Sequence, residues 1–316
     1  MLWRVREGVF SSTGFRIRAA QPAAATAEVA RWVERAVASV FFTLFPADCR
    51  LCGSPLLRFS RLPVCENCLG SLRPMAGPRC RLCGEGLSSP LLEDCPDAVC
   101  GLCRRVHPPF ERASAYGSYD GALRDLVHLL KFEQVRPAAA VLGRMLANAI
   151  AALEPSLPPG TIAVVPVPLH ARKKSQRGFN QAELIVRAAL KDLSRPERFG
   201  LCAGSLIRIR DTGSQIGLTR HQRRQNLRGA FVVKDPAAIS GRNLLLVDDV
   251  YTTGSTASEC ARVLRRAGAA RVWVATVART LRVSESSVNR GDLLLEHSQE
   301  ENLEEAQDRA VVAAHA

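Results

Sequence analysis

The chain has 316 residues, of which 47% are hydrophobic, so it can bury a sizeable core and is long enough for about two domains. Its formal net charge of +13 favours polyanionic partners such as nucleic acid, or phosphorylated substrates. No apolar run is long enough to cross a bilayer and no signal-peptide cleavage site is evident, so the sequence predicts a cytoplasmic protein with no transmembrane segment.

The two ends of the chain are predicted to flank its main domains. Residues 1–45 form an N-terminal extension, in which apolar residues from Val29 to Phe45 recur at helical spacing, and we expect this amphipathic helix to pack on the protein. Residues 284–316 are rich in acidic side chains and lose strong periodicity, which is typical of a disordered or marginally helical tail.

Residues 46–110 are dominated by cysteine. Eight of the eleven cysteines form four CxxC pairs, which are Cys49/Cys52, Cys65/Cys68, Cys80/Cys83 and Cys100/Cys103. Two thiolates from one tight turn can reach the same tetrahedral metal, so four pairs predict a double zinc ribbon with two zinc ions rather than disulfides. The pairs can join in sequence or alternate in a cross-brace, and Cys95 is left as a spare thiol.

The predicted zinc sites are structural, because four thiolates leave no open coordination position for chemistry. The segment has few long apolar runs, so metal binding would supply stability that core burial cannot. Arginines beside the pairs would suit contact with nucleic acid, whereas the scarcity of aromatic residues between them argues against base stacking. A role as scaffold or docking module therefore stays open.

Residues 111–283 alternate helical and apolar strand patterns, as α/β domains do. A turn or short strand near Tyr116 precedes a helix with Asp120 at its N-cap, and a second helix runs from about Pro137 to Leu153. A short apolar strand, Thr161–Val167, then exits through two prolines, at the edge of an α/β sheet where ligands bind.

Basic residues concentrate between 169 and 234, where fifteen Lys or Arg stand against four Asp or Glu. A loop offers His170, Arg172, Lys173, Lys174 and Arg177, which would suit a pyrophosphate group or would simply be solvated. Further along, helical spacing places Arg220, Arg223 and Arg224 on one face, and we expect that face to meet DNA or phosphate.

The stretch LLLVDDVYTTGST, Leu244–Thr256, carries the most specific pattern. Four apolar residues predict a strand buried on both faces, and Asp248 and Asp249 are expected at its end. A loop of small residues follows, then a helix over 257–267, a Gly268 stop and a strand over 272–278. The loop consists of Thr252, Thr253, Gly254, Ser255 and Thr256.

This order of residues suits a ribose 5-phosphate. A loop at a helix N-terminus offers backbone N–H groups and the positive end of the helix dipole to a phosphate, and hydroxyl side chains add donors. Two carboxylates ahead of the loop can accept hydrogen bonds from a sugar diol or help to hold Mg²⁺. An ordinary strand–turn–helix with acidic and hydroxyl capping residues is the alternative.

Taken together, these motifs resemble those of the ComF family, which includes competence-linked proteins that are similar to type I phosphoribosyltransferases. The resemblance covers residues 40–280. It is carried by Leu44–Cys52 (LFPADCRLC), Tyr119-Asp120-Gly121, Leu130-Lys131-Phe132, Val165–Pro168, Arg177–Gln181, Gln215, Arg223, Asn226, Phe231 and VDDVYTTGST.

The resemblance implies an N-terminal zinc ribbon followed by a type I phosphoribosyltransferase fold, which is a parallel, mainly five-stranded sheet flanked by helices. It implies that Asp248 and Asp249 meet the ribose hydroxyls of phosphoribosyl pyrophosphate (PRPP) and are the catalytic pair of any reaction, and that Thr252–Thr256 hold the 5-phosphate. Residues 166–177, with Arg172 and Arg177, would lie near the pyrophosphate with Mg²⁺ between.

The resemblance also implies a link to single-stranded DNA and to DNA-uptake proteins, but it names no reaction. Three functions stay open: a PRPP-binding accessory protein for DNA uptake, an active phosphoribosyltransferase with a nucleobase-like acceptor, and a PRPP sensor without catalysis. The oligomeric state is not predicted.

Overall fold

The computed structural model describes residues 47–56, 60–87, 95, 97–212 and 220–281. The predicted amphipathic helix over 29–45 and the predicted acidic tail over 284–316 lie outside these residues. Within the described part, no helix is both long and apolar enough to cross a membrane.

A five-stranded parallel sheet forms the centre of the molecule. The seven strands of the described chain are β1 (Ala113–Ser118), β2 (Ile162–Pro166), β3 (Phe199–Leu201), β4 (Leu206–Arg208), β5 (Phe231–Val233), β6 (Asn243–Tyr251) and β7 (Arg271–Arg279). The sheet has the order β1-β7-β6-β2-β3 with every pair parallel, while β4 and β5 form a separate antiparallel pair. The predicted α/β architecture is therefore confirmed.

Eight helices accompany the strands in the described residues. They are α1 (Glu66–Ser71), α2 (Gly101–Arg105), α3 (Gly121–Lys131), α4 (Ala138–Ala151), α5 (Ala171–Arg177), α6 (Gln181–Asp192), α7 (Arg220–Leu227) and α8 (Ser255–Arg266). The apolar side chains of α3 are buried, and α8 ends at Arg266, followed by Ala267 as its C-cap and by Gly268 at a φ of 92°. Many helices end with a glycine in the left-handed conformation just after the last turn.

Two apolar cores cover the two faces of the sheet. Alternate residues of β6 point to opposite faces, so Leu245 and Val247 join one core while Leu244 and Leu246 join the other. The first core contains apolar residues of α3, α4 and α6 and cysteines of the first two CxxC pairs. The second core contains residues of α8 and cysteines of the last two CxxC pairs. The two cysteine-rich modules therefore lie on opposite faces of the sheet.

Two local predictions are wrong. The basic residues expected in a loop form helix α5, in which His170 is the N-cap and Gly178 ends the helix at a φ of 74°. The Ala, Arg, Lys and Gln residues of α5 favour helix strongly, but the segment lacks the apolar stripe from which a helix is usually predicted. In addition, β6 does not end before Asp248, because its pairing with β7 continues to Tyr251.

The contact between α4 and α6 depends on the absence of a side chain at Gly143. A Cβ there would lie 2.5 Å from the Ala188 Cβ and 2.9 Å from the Ala189 nitrogen. We expect Gly143→Ala to lower the free energy of unfolding by about 1–3 kcal/mol through overpacking, although alanine favours helix.

Urea unfolding of the zinc-loaded protein measures this effect. Gly70→Ala in α1 is the matched control, since a Cβ at Gly70 meets nothing within 4 Å. A Gly143→Ala variant as stable as the wild type would contradict the close packing described.

Candidate functional site

Asp248 and Asp249 lie near the C-terminal end of β6, beside the C-terminus of α3. Asp249 is 4% exposed, and its Oδ2 atom lies 3.2 Å from the Lys131 Nζ. That oxygen accepts no well-aligned hydrogen bond from the described residues. Lys131 occurs in the sequence only within the Leu130-Lys131-Phe132 motif, and no local pattern links it to Asp249, so sequence reasoning missed this ion pair.

Burial sets the protonation of this group. Desolvation, followed by the charge of Asp249, raises the pKa of Asp248 to about 8, against the opposing effect of Lys131. For Lys131, burial alone would lower the pKa, but the charges of Asp249, Tyr119 and Asp248 outweigh it and raise the pKa. The site therefore holds a Lys131–Asp249 ion pair, beside which the neutral form of Asp248 is favoured.

The chain after β6 leads into α8, which begins at Ser255 rather than at the predicted residue 257, so Ser255 and Thr256 lie in the first turn of the helix. Gly254 is the N-cap of this twelve-residue helix at a φ of 76°, and a Cβ there would overlap the Tyr251 hydroxyl. The Thr253 Oγ1 lies 2.9 Å from the Ser255 Oγ, and it accepts a hydrogen bond from the Ser255 backbone nitrogen at 3.4 Å. Position 254 therefore requires glycine for two reasons, the positive φ and the lack of space for a Cβ beside Tyr251.

The two arginines that were predicted to contact ligand lie on the same helix, α5, and have different partners. The Arg177 guanidinium lies 5.7 Å from the ring centroid of Phe132, and its charge acts on Lys131, so Arg177 belongs to the neighbourhood of the acidic pair. Arg172 instead lies 3.7 Å from the Asp211 carboxylate. Asp211 in turn acts electrostatically on Arg208, which also interacts with Asp248.

A further cation near the site comes from β4. Arg208 is largely buried, and desolvation lowers its pKa despite the opposing charges of Cys260, Asp211 and Asp248. The guanidinium stacks over the Phe231 ring at 5.6 Å and donates to the Thr212 hydroxyl. No sequence pattern marks Arg208, because it reaches the site only through the packing of the antiparallel pair β4–β5.

The eight paired cysteines form two groups of four. Cys49, Cys52, Cys65 and Cys68 make one group and Cys80, Cys83, Cys100 and Cys103 the other, with the sulfurs of each group within 4.8 Å of one another. This arrangement is sequential, so the cross-brace alternative is wrong. Gly53 and Gly84 follow their pairs at φ values of 73° and 71°, as tight metal-binding turns need. Both groups are compatible with a zinc ion, and Cys95 is exposed and lies outside them.

A cavity of about 450 Å³ lies between the second cysteine group and the loop that begins α8. Cys83 and Cys103 line one side of the cavity, and Tyr251, Gly254 and Ser255 line the other. The second cysteine group and the small-residue loop are therefore close neighbours in space.

The raised pKa of Asp248 predicts a pH dependence of stability. When a carboxyl group has a higher pKa in the folded protein than in the unfolded chain, it favours the folded state most at pH values below its unfolded pKa. This stabilisation is lost as the pH rises through the folded pKa. For Asp248 that loss extends from about pH 4 to about pH 8. We therefore expect Asp248→Asn to raise the thermal unfolding midpoint by on the order of a few degrees, and by more at about pH 8.5 than at about pH 6.

Calorimetry at both pH values measures this difference, with exposed Asp192→Asn as the control variant. An Asp248→Asn effect that is the same at both pH values would contradict a protonated Asp248.

Comparisons with known proteins bear on both parts of the chain. Residues 40–109 match the family model of the double zinc ribbon domain. The DNA utilization protein YhgH of Salmonella typhi is 35% identical over 240 residues, which cover 75% of this chain and 98% of that protein. Competence protein F of Haemophilus influenzae is 30% identical over 227 residues, which cover 68% of this chain and 96% of that protein.

Among solved structures, a hypoxanthine phosphoribosyltransferase from Trypanosoma cruzi is 14% identical and covers 48% of this chain and 70% of its own, with a TM-score of 0.29. That likeness is too slight to bear on function. The alignments with these two relatives cover 75% and 68% of this chain and nearly the full length of each relative. The chain therefore belongs to the ComF family of competence and DNA utilization proteins.

Proposed function

We propose that the protein binds PRPP at the C-terminal end of β6 and acts as an accessory protein in DNA uptake. The observation that carries the proposal is the placement of two carboxylates, Asp248 and Asp249, ahead of the Thr252–Thr256 loop at the N-terminus of α8. Ligands of open parallel sheets bind at the C-terminal ends of the strands, and a helix N-terminus attracts phosphate.

The electrostatics support an anionic sugar phosphate as ligand. Lys131 neutralises Asp249, while Arg177 and Arg208 bring further positive charge to the acidic pair. In this proposal the carboxylates accept hydrogen bonds from the ribose hydroxyls, and Arg177 lies towards the pyrophosphate. Arg172, which pairs with Asp211, would have to leave that carboxylate to join it.

The acidic pair also fits Mg²⁺. Carboxylate oxygens are the ligands that this ion prefers, and the buried Asp249 Oδ2 has no well-aligned hydrogen bond among the described residues. Mg²⁺ held by Asp248 or Asp249 would neutralise charge on the pyrophosphate. The residues of the chain would orient the sugar and exclude water from it.

Two observations support DNA as a partner, namely the basic residues of the protein and the names of its relatives. Helices α5 and α7 together contain seven of the fifteen basic residues of segment 169–234, and a basic surface binds the phosphate backbone without regard to sequence. The relatives are named for DNA utilization and competence, which agrees with a DNA partner. We also infer a cytoplasmic location, where single-stranded DNA would arrive after uptake.

An active phosphoribosyltransferase is the second candidate, favoured by the intact acidic pair and loop. Loss of pyrophosphate from PRPP would leave an oxocarbenium-like centre, and the cations near the site would stabilise the departing charge. Release of pyrophosphate with one member of a nucleobase panel, with or without single-stranded DNA, would establish the enzyme. DNA binding without release would favour the accessory role.

PRPP binding is expected to depend on both acidic residues. Asp248→Asn with Asp249→Asn removes the charges that meet the diol or Mg²⁺, so calorimetric PRPP affinity should fall at least about 100-fold, equivalent to two good charge-assisted hydrogen bonds. Zinc content should stay unchanged, because both cysteine groups lie elsewhere. Retained affinity in the double variant would overturn this assignment.

DNA binding is expected to depend on α5. Replacing Arg172, Lys173 and Lys174 with Gln should flatten the salt dependence of single-stranded DNA affinity by about 2 units of slope, since each lost phosphate contact removes about 0.7. Fluorescence anisotropy over a range of salt concentrations measures the slope. The control removes the same charge elsewhere, at the exposed residues Arg61, Arg144 and Arg271. Equal slopes in the two triple variants would exclude α5 as the DNA surface.

A further inference from the structure

Arg279, the last residue of β7, is a buried cation whose partners come from the second cysteine module. Its side chain is 2% exposed, and it forms an ion pair with Glu85. Its Nη1 atom donates to the Cys83 carbonyl oxygen at 2.7 Å, and its Nη2 atom lies 3.8 Å from the Cys83 sulfur. A buried guanidinium is tolerated only when such partners are in place, so Arg279 and the Cys80–Cys83 turn require each other.

The other side of Arg279 faces the loop of the candidate site. Its guanidinium lies 4.5 Å from the ring centroid of Tyr251, the residue opposite it in the β6–β7 pairing. Tyr251 is 7% exposed, and its hydroxyl occupies the space where a side chain at Gly254 would lie. Through this stacking, the Tyr251 ring is held against the N-cap of α8.

We propose that Arg279 is a positioning residue that couples the second cysteine group to the Thr252–Thr256 loop. The order of contacts is Cys83 and Glu85 to Arg279, Arg279 to Tyr251, and Tyr251 to Gly254. An ordered Cys80–Cys83 turn, which a bound zinc ion would hold, thereby keeps the loop in the conformation that receives a phosphate. As applied to PRPP affinity, the inference rests on the proposed function.

The first cysteine group offers a natural comparison. Among the described contacts, its ion pair runs from Arg50 to Glu133, just after α3, with 3.5 Å between the Arg50 Nη1 and the Glu133 Oε2. This first cysteine group packs in the core on the opposite face of the sheet from α8. The coupling is therefore specific to the second group, so a purely general effect of zinc on stability would not reproduce it.

Hydrogen exchange of the full-length, zinc-loaded protein tests the coupling without requiring any ligand. Glu85→Gln removes one charge that holds Arg279, and Arg279→Met removes the link itself. We expect each variant to increase amide exchange in residues 252–256 about tenfold, within the usual range of coupling between sites. Glu133→Gln is the matched control, and it should leave exchange in these residues unchanged. Zinc content is measured in every sample.

PRPP titration of the same proteins then separates the two proposals. Faster loop exchange in Glu85→Gln, together with a PRPP dissociation constant raised about fivefold or more, supports both. Faster exchange in a protein that does not bind PRPP supports the coupling and overturns the proposed ligand. Unchanged exchange in zinc-loaded Glu85→Gln overturns the coupling whatever PRPP does, and so does an equal change in Glu133→Gln.

Discussion

The long parallel pairing of β6 with β7 runs from Asn243 opposite Arg271 to Tyr251 opposite Arg279. Both strands are buried on both faces, so a shift of register by one residue would turn apolar side chains of each core to the wrong side. This pairing fixes the acidic residues at the end of β6, and it places Tyr251 beside Arg279. The candidate site and its contact with the cysteine-rich module therefore follow from one register.

Burial of charge is the cost of this arrangement. Lys131 and Asp249 are held together away from water. Burial, followed by the charge of Asp249, raises the pKa of Asp248 and favours its proton-bound form. A ligand or cation that favours ionised Asp248 would have to displace that proton. Binding of a sugar phosphate would thus be linked to pH, and the free protein gives up some stability to keep the site.

Local patterns were predicted well from the sequence, since each depends on residues that are close along the chain. The four CxxC pairs, the apolar run Leu244–Val247 and the Gly268 helix stop all needed only short-range rules. The loop at the N-terminus of α8 was found for the same reason. Two local predictions failed. The evenly polar surface of α5 has no apolar periodicity from which a helix could be predicted, and β6 continues past Asp248 because it pairs with β7 as far as Tyr251.

Long-range contacts could not be predicted. Arg279 and Cys83 are 196 residues apart, and only the folding of the module onto β7 brings them together. Lys131 has the sequence appearance of a residue that caps the C-terminus of α3, yet it pairs with Asp249 instead. The choice of sequential cysteine grouping likewise depends on how the turns fold back, which spacing within each pair does not encode.

The most direct measurement is a crystal structure of the full chain with Mg²⁺ and PRPP bound. Our account predicts the ribose hydroxyls at Asp248 and Asp249 and the 5-phosphate against the backbone nitrogens of Thr252–Thr256. It also predicts Arg279 still stacked on Tyr251. Ligand bound only in the cavity beside Cys83 and Cys103, with the acidic pair still closed by Lys131, would contradict the account.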